Sequence, residues 1–399
     1  VAARAWLKIS TRDGKADTSA PSPHGRASVD ALWPTMPTIM HVHHLHLLLP
    51  FALPSAADAA TALHGLESAA LDKLLARATL AERVVGEDFQ RTLPHERWIA
   101  RSFGAVTPAD QRYADDAPLA PFMLLADGGT PGDALWACIE PVHVRIAHDH
   151  LVLIDPDTLG VHTEEARALF GTARPVIEDL GVALQAPTPL RWYVSGEALG
   201  ALAGASPLRA TGRNIEIWLP HEARTGERSR AWMKLQNEVQ MAWFEHPLNL
   251  ARESRGLPAI NSIWLHGQGK LRPVKSPFVR VMSDAAATRG LALAAGVAPS
   301  MSPESFASLA KDDAQGTTLV ELNPFSAPFI EQDWMRWNAS LQELEGAWFA
   351  PALQALTDGS LGRLSLTLCG DTGSVTLSVT RADLRKFWRR RPIASLFIE

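Results

Sequence analysis

The sequence predicts an α/β fold with a mostly parallel sheet flanked by helices, and two observations carry that prediction. Runs of strand character alternate with runs of helical periodicity beyond residue 40, as strands joined by crossover helices do. The run HLHLLLPFALP, residues 44–54, is apolar on both faces apart from its histidines, which fits an interior parallel strand, and proline at position 50 ends it.

The elements follow in order. Residues 56–78 place Leu63, Leu66, Leu71, Leu74 and Leu75 at helical spacing, with an interruption at Gly65. Residues 80–103 read as a polar helical stretch broken at Pro94, because proline removes a helix hydrogen bond. The segment 108–133, rich in Pro, Asp and Gly, reads as loop. Strands at 135–143 and 150–154 precede a helix over 163–180 that opens on Thr-Glu-Glu. Residues 190–194 and 215–219 read as strands on either side of a small-residue loop at 198–211. After a polar block described below come a strand at 278–282, a helix over 284–295 ended by Gly296, and a strand at 317–322. The longest helical pattern, 334–356, is followed by strands at 364–369 and 375–379 and a basic terminal helix.

Composition excludes several classes of function. With 46% apolar residues, 20% charged residues and a net charge of −5, the chain is an ordinary globular sequence without the basic field that an obligatory nucleic-acid partner requires. The one dense basic run, Lys386 to Pro392, reads as a solvated helix with Trp388 packed inward. Cys138 and Cys369 stand far apart in sequence, suggesting neither a disulfide framework nor a zinc site and fitting a reducing cytoplasm. No apolar run is long enough to span a bilayer, so no membrane association is expected. Residues 1–39 lack periodicity and read as a disordered tail or a start placed too early, leaving 40–399 as the folded region, with a candidate inserted subdomain around 160–275.

The most informative stretch is residues 232–269. Trp232, Leu235, Val239, Ala242 and Trp243 recur at helical spacing and define a buried stripe. Crowded against it are His246, Asn249, Arg252, Asn261, Trp264, Gly267 and Gly269. Buried amides cost about 1–3 kcal/mol each when unpaired, so this block is either an internal network tying loops together or the wall of a pocket for a polar ligand. In the second case the fixed fork of Arg252 suits a small anion. Other signals are weak. His41, His43, His44 and His46 could share a metal from one strand, but no carboxylate or thiol stands at a suitable spacing nearby. The pair His148 and His150 reads as a solvated hairpin turn, Gly128, Gly129 and Gly132 lack a phosphate-loop spacing, and no Gly-x-Ser-x-Gly elbow supplies a nucleophile.

The block His246, Pro247, Asn249, Arg252, Gly256, Pro258, Asn261, Gly267 and Gly269 resembles a segment of the archaeal-type cofactor-independent phosphoglycerate mutases of the alkaline-phosphatase superfamily. From about residue 40 onward the chain also resembles the RpfE-type regulatory proteins of bacteria, through Arg191-Trp192-Tyr193, Gly212-Arg213-Asn214, Asn237 to Met241 and Phe387 to Arg390. The resemblance implies an alkaline-phosphatase-like scaffold. It implies two divalent ions only if the family's ligands are kept, and here they are not. The Asp-Gly pair expected after the first strand is Pro50-Phe51, the Asp and His expected before the long helix are replaced within 326–330, and the expected Asp-His pair is Asp371-Thr372. The expectation is therefore a cytoplasmic regulatory or ligand-binding protein with a degraded metal site, no catalytic residue and no cofactor. The alternative is an active phosphotransferase on small phosphorylated acids that uses manganese or zinc. A small anion is the expected ligand, and any protein partner is unspecified.

Overall fold

The computed structural model describes residues 42–86, 89–106, 117–196, 202–222, 227, 229–309 and 315–396. The expected tail at 1–39 and His41 lie outside the described residues, as do parts of the expected loops at 108–133 and 198–211. In chain order the strands are β1 (Val42–Leu49), β2 (Thr79–Val84), β3 (Leu135–Val142), β4 (Val144–Ala147), β5 (His150–Leu153), β6 (Ala183–Gln185) and β7 (Trp192–Ser195). They continue as β8 (Leu202–Ala203), β9 (His221–Glu222), β10 (Ser262–Lys270), β11 (Arg280–Met282), β12 (Pro299–Ser300), β13 (Thr317–Glu321), β14 (Leu361–Cys369) and β15 (Ser374–Thr380).

β1 takes the centre of a seven-stranded sheet of order β12-β11-β13-β1-β14-β15-β2. It runs parallel to both neighbours, with Leu45 opposite Thr318 on one side and Leu47 opposite Leu366 on the other. β11 and β12 continue the parallel set, and β15 and β2 close the far edge antiparallel. Helices cover both faces. Leu45, Leu47 and Leu49 pack with Leu71 and Leu74 of the helix Ala69–Arg77 and with Trp337 and Leu356 of the long helical segment. Leu48 packs on the other face with Ile99, Phe122 and Leu291, from the helices Pro94–Ser102, Ala120–Ala126 and Ala286–Ala294. The sequence-based fold class holds: the chain is a mixed α/β structure with a mainly parallel sheet flanked by helices.

Between the helix Ala120–Ala126 and β11 the chain builds a second, antiparallel sheet of order β10-β3-β7-β6. The period of two gives this sheet two different faces. Ala137, Ile139, Trp192, Val194, Ile263 and Leu265 pack under the helices Thr163–Glu178 and Arg230–Phe244. Trp136, Cys138 and Tyr193 face the opposite way, into the core shared with the helices of the first sheet. This layer begins at Leu135, earlier than the expected subdomain start, and belongs to the same compact unit, Met40–Glu399.

Four local expectations are corrected. Residues 79–84 form the edge strand β2, because pairing with β15 outweighs their polar helical look. Within the expected loop at 108–133, residues 120–126 are a helix buried through Phe122 and Leu124. Ile215–Ile217 is a short 3-10 turn, capped by the Asn214 side chain, instead of a strand. The basic run after Leu384 is not helical, and Trp388 is 67% exposed instead of packed inward. Arg389 and Arg391 there donate to the carbonyls of Arg77 and Ala78, which satisfies the end of the helix Ala69–Arg77.

His44 and His46 of β1 are held by hydroxyls of neighbouring strands, and His43 is exposed. His44 bonds Ser365 at 2.9 Å and Thr317 at 3.0 Å, and His46 bonds Thr367 at 2.8 Å while packing on Trp98. Burial lowers His46 to about 3, so it is neutral in the fold. A histidine depressed in the folded state contributes stability that is complete above its unfolded value and is lost as pH falls toward the folded one. Folding stability measured by urea titration from pH 7 to pH 3 is therefore expected to fall more steeply for the wild type than for His46→Gln. Parallel curves for the two proteins would remove His46 as a contributor.

Candidate functional site

The polar block is an internal clamp. Asn249 donates to the carbonyls of Trp243 at 2.9 Å and Ile260 at 2.8 Å, and its Oδ1 accepts from the Ile260 amide at 2.8 Å. Arg252, fully buried, donates to the carbonyls of Pro258 at 2.8 Å and Leu159 at 2.6 Å, and to Glu165 at 2.6 Å. The block thereby ties the helix Pro247–Ser254 to the start of the helix Thr163–Glu178. Asn261 exchanges two bonds with the backbone of Val144, each 2.8 Å, and Trp264 donates to the Ala205 carbonyl at 2.7 Å. His246 caps its helix by accepting from the Leu248 amide. Gly267 and Gly269 permit close approach: a Cβ at Gly269 would lie 2.1 Å from the side chain of Pro118, and Gly267, at φ +69°, lies against Ala120. The fork of Arg252, expected to await an anion, is occupied by protein oxygens.

A cavity of about 630 Å³ lies elsewhere, at the carboxyl ends of the parallel strands. Pro50 follows β1, Asp284 follows β11, Ser302 follows β12, and Glu321 ends β13. Open α/β sheets place ligands at this edge because the chain must turn away there and leave a crevice. The opposite wall comes from the second sheet and its neighbours, with Glu140 on β3, His266 on β10, the turn at Asp155 and Asp157, and His95 and Glu96 at the start of the helix Pro94–Ser102.

The crevice is acidic. Among the described residues, Glu96, Glu140, Asp155, Asp157, Asp284, Glu304 and Glu321 line it against one guanidinium, Arg191, which is already forked onto Asp127 at 2.6 and 2.8 Å. Glu140 meets His266 at 3.2 Å, and Glu321 accepts from Ser283 at 2.6 Å. Burial pushes the Glu321, Glu96 and Asp155 carboxyls above the usual carboxylate range, although each also accepts a stabilising hydrogen bond. Their ionisation at neutral pH thus costs folding energy: the favourable contribution exists in acid and is lost as pH rises through the raised values. A bound cation reverses that cost. His95 is pushed down to about 3 by burial, and its Nδ1 is sealed from solvent without a hydrogen-bond partner.

The mutase resemblance would put metal ligands at Pro50-Phe51, within residues 326–330 and at Asp371-Thr372. Asp371 accepts from Arg209 at 2.9 Å and Arg213 at 2.5 Å, so two guanidiniums already neutralise it. Residues 326–330 form a short helix in which Ser326 bonds Asn323. Phe51, the residue after Pro50, keeps a left-handed backbone at φ +55°, a conformation that favours glycine, and its carbonyl accepts from Trp337 at 2.9 Å.

No family model and no curated protein matches the chain. Among solved structures, the PH0037 protein from Pyrococcus horikoshii is similar at 12% identity and a TM-score of 0.46, over 86% of this chain and 88% of that one. A cofactor-independent phosphoglycerate mutase from Thermoplasma acidophilum is similar at 12% identity and a TM-score of 0.42, over 89% of this chain and 94% of that one. Likeness at this level carries nothing about the site.

Because the clamp is buried, its removal is expected to be costly. Arg252→Met strips the Pro258 and Leu159 carbonyls of their donor, while Glu165 keeps Arg255 at 2.8 Å, and should lower unfolding free energy by about 1–3 kcal/mol. Asn249→Ala should cost about 1–3 kcal/mol. Chemical denaturation checks both, and losses below about 0.5 kcal/mol, the range of ordinary surface substitutions, would exclude a structural clamp.

Proposed function

We propose that this chain is a cytoplasmic regulatory protein on a phosphoglycerate-mutase-like scaffold, that it transfers no phosphoryl groups, and that it binds a small organic cation in the crevice at the strand ends. The ligand class rests on the seven carboxyl side chains that line the crevice among the described residues, facing one arginine there whose charge is spent on Asp127. A free phosphate entering there meets like charge, whereas an amine relieves the repulsion among carboxylates already penalised by burial. The loss of phosphotransfer is supported by Asp371, held by Arg209 and Arg213, and by Pro50 at the end of β1, where the resemblance would put an aspartate. The regulatory role rests on the RpfE-type resemblance. Among the described residues no helix is long and apolar enough to cross a membrane, and both cysteines are free and buried, which suits a reducing compartment.

Titration calorimetry of the full chain at low ionic strength tests the reading with 1,5-diaminopentane and, separately, orthophosphate. The diamine should bind, its affinity should fall as salt is raised, and phosphate should give no heat of binding. The exposed pair of substitutions Asp157→Asn and Glu304→Gln together should weaken the diamine about tenfold, roughly the 1.4 kcal/mol that corresponds to that ratio. Phosphate binding in place of the diamine would overturn the ligand class. Mutase or phosphatase turnover with added manganese would overturn the non-catalytic part, and the carboxylates at the ends of β11 and β13 would then be the ligands to mutate.

A further inference from the structure

We propose that Cys138, Glu140 and His266 form a site for a single zinc-class transition-metal ion on the wall of the crevice. This deepens the crevice reading and rests on it only for access. The juxtaposition follows from the sheet. Cys138 and Glu140 are two apart on β3 and so share one face, and antiparallel pairing puts His266 of β10 directly opposite Cys138. One ligand atom from each of the three lies within 4.8 Å of the others, and the His266 Nε2 to Glu140 Oε1 distance is 3.2 Å. Ligands at about 2.0–2.3 Å from a tetrahedral zinc stand some 3.3–3.8 Å apart, so the set needs only small side-chain movement to close on an ion.

The donor set is selective. A thiolate, an imidazole and a carboxylate suit zinc and its late first-row neighbours, not magnesium or calcium, which take oxygen. Three protein ligands leave a fourth position, and Glu140 and His266 both line the crevice, so that position opens toward the space where a ligand sits. The surroundings support the set. Tyr193, in register with Cys138 on β7, donates to Asp127 at 2.6 Å, which fixes its ring beside the thiol. On the facing wall His95 holds a buried Nδ1 with no partner. Without an ion, burial keeps the Cys138 thiol protonated, so metal uptake releases that proton to solvent as the sulfur–metal bond forms.

The test uses full-length protein stripped with chelator and titrated with Zn(II), then with Co(II) as a spectroscopic probe. The wild type is expected to take up one ion per chain and to show a thiolate-to-cobalt charge-transfer band with the strong visible absorption of a tetrahedral site. Cys138→Ser should lose the charge-transfer band, and Glu140→Gln, which keeps the size of the side chain, should weaken zinc by 10-fold or more while keeping the band. Cys369→Ser should change neither. Far-ultraviolet circular dichroism of each variant reports whether it folds, and Glu140→Gln carries the test if Cys138→Ser does not. No stoichiometric uptake by the wild type, a band that survives in Cys138→Ser, or unchanged affinity in Glu140→Gln would each overturn the site. Loss of zinc with diamine binding intact would sink this proposal alone, whereas zinc uptake without diamine binding would leave the site standing and remove the cationic ligand.

Discussion

From Leu45 to its end the central strand β1 has no face toward water, and the rest of the structure is arranged around that constraint. Parallel neighbours take up its backbone groups on both edges and helices cover both its faces, so any polar side chain along it needs an internal partner. His44 and His46 find theirs in Ser365, Thr317 and Thr367, hydroxyls placed in reach by the parallel register. Burial, and not the hydroxyls, keeps these imidazoles neutral. Charge is excluded from the middle of the sheet and is tolerated where strands end, which is where Asp284 and Glu321 stand. The acidic crevice and the dry strand centre are two consequences of one topology.

The second sheet is positioned by close backbone approach. A Cβ at Gly290 would fall 1.8 Å from the Phe122 carbonyl oxygen, so the helices Ala286–Ala294 and Ala120–Ala126 meet at a distance that only glycine allows. Gly269 does the same beside Pro118. These contacts bring β10 and β3 against the first layer with Cys138 facing inward. The clamp of Arg252 and Glu165 acts farther out, fixing the helices that cover the opposite face of the same sheet. His266 reaches the crevice because, opposite Cys138, it takes the face of β10 turned away from Leu265.

The fold was legible in the sequence wherever burial on both faces or strong periodicity spoke. β1, the helix beginning at Thr163 and the β14–β15 hairpin follow from apolar runs and turn residues alone. Edge strand β2 was not legible, since TLAERV owes its conformation to β15 and not to its own preferences. The site divides the same way. The polar block announced itself by crowding amides and an arginine near an apolar stripe, and composition could not separate a clamp from a pocket because both need the same residues. Cys138, Glu140 and His266 gave a weaker sign: a glutamate and a histidine inside strongly apolar strands. Pairing of β3 with β10 brings together residues more than a hundred positions apart, and spacing in one sequence does not encode that register.

The proposed loss of one metal arrangement and the proposed zinc set are not in conflict, because they depend on different parts of the scaffold. The ligand positions implied by the mutase resemblance sit on loops after parallel strands, where single substitutions remove them, as Pro50 and the capture of Asp371 by Arg209 and Arg213 illustrate. The set of Cys138, Glu140 and His266 sits within paired strands, where register holds three side chains on one face without help from a loop. A site built on strands is more rigid than one built on loops, and it needs no second ion to offset repulsion among its ligands, since only two of its three groups become anions. The remaining acidic groups of the crevice then lie outside that set, on Glu96, Asp155, Asp157, Asp284, Glu304 and Glu321. An organic cation beside the ion would neutralise carboxylates that the ion does not reach, so the two proposals divide the charge of one crevice between them.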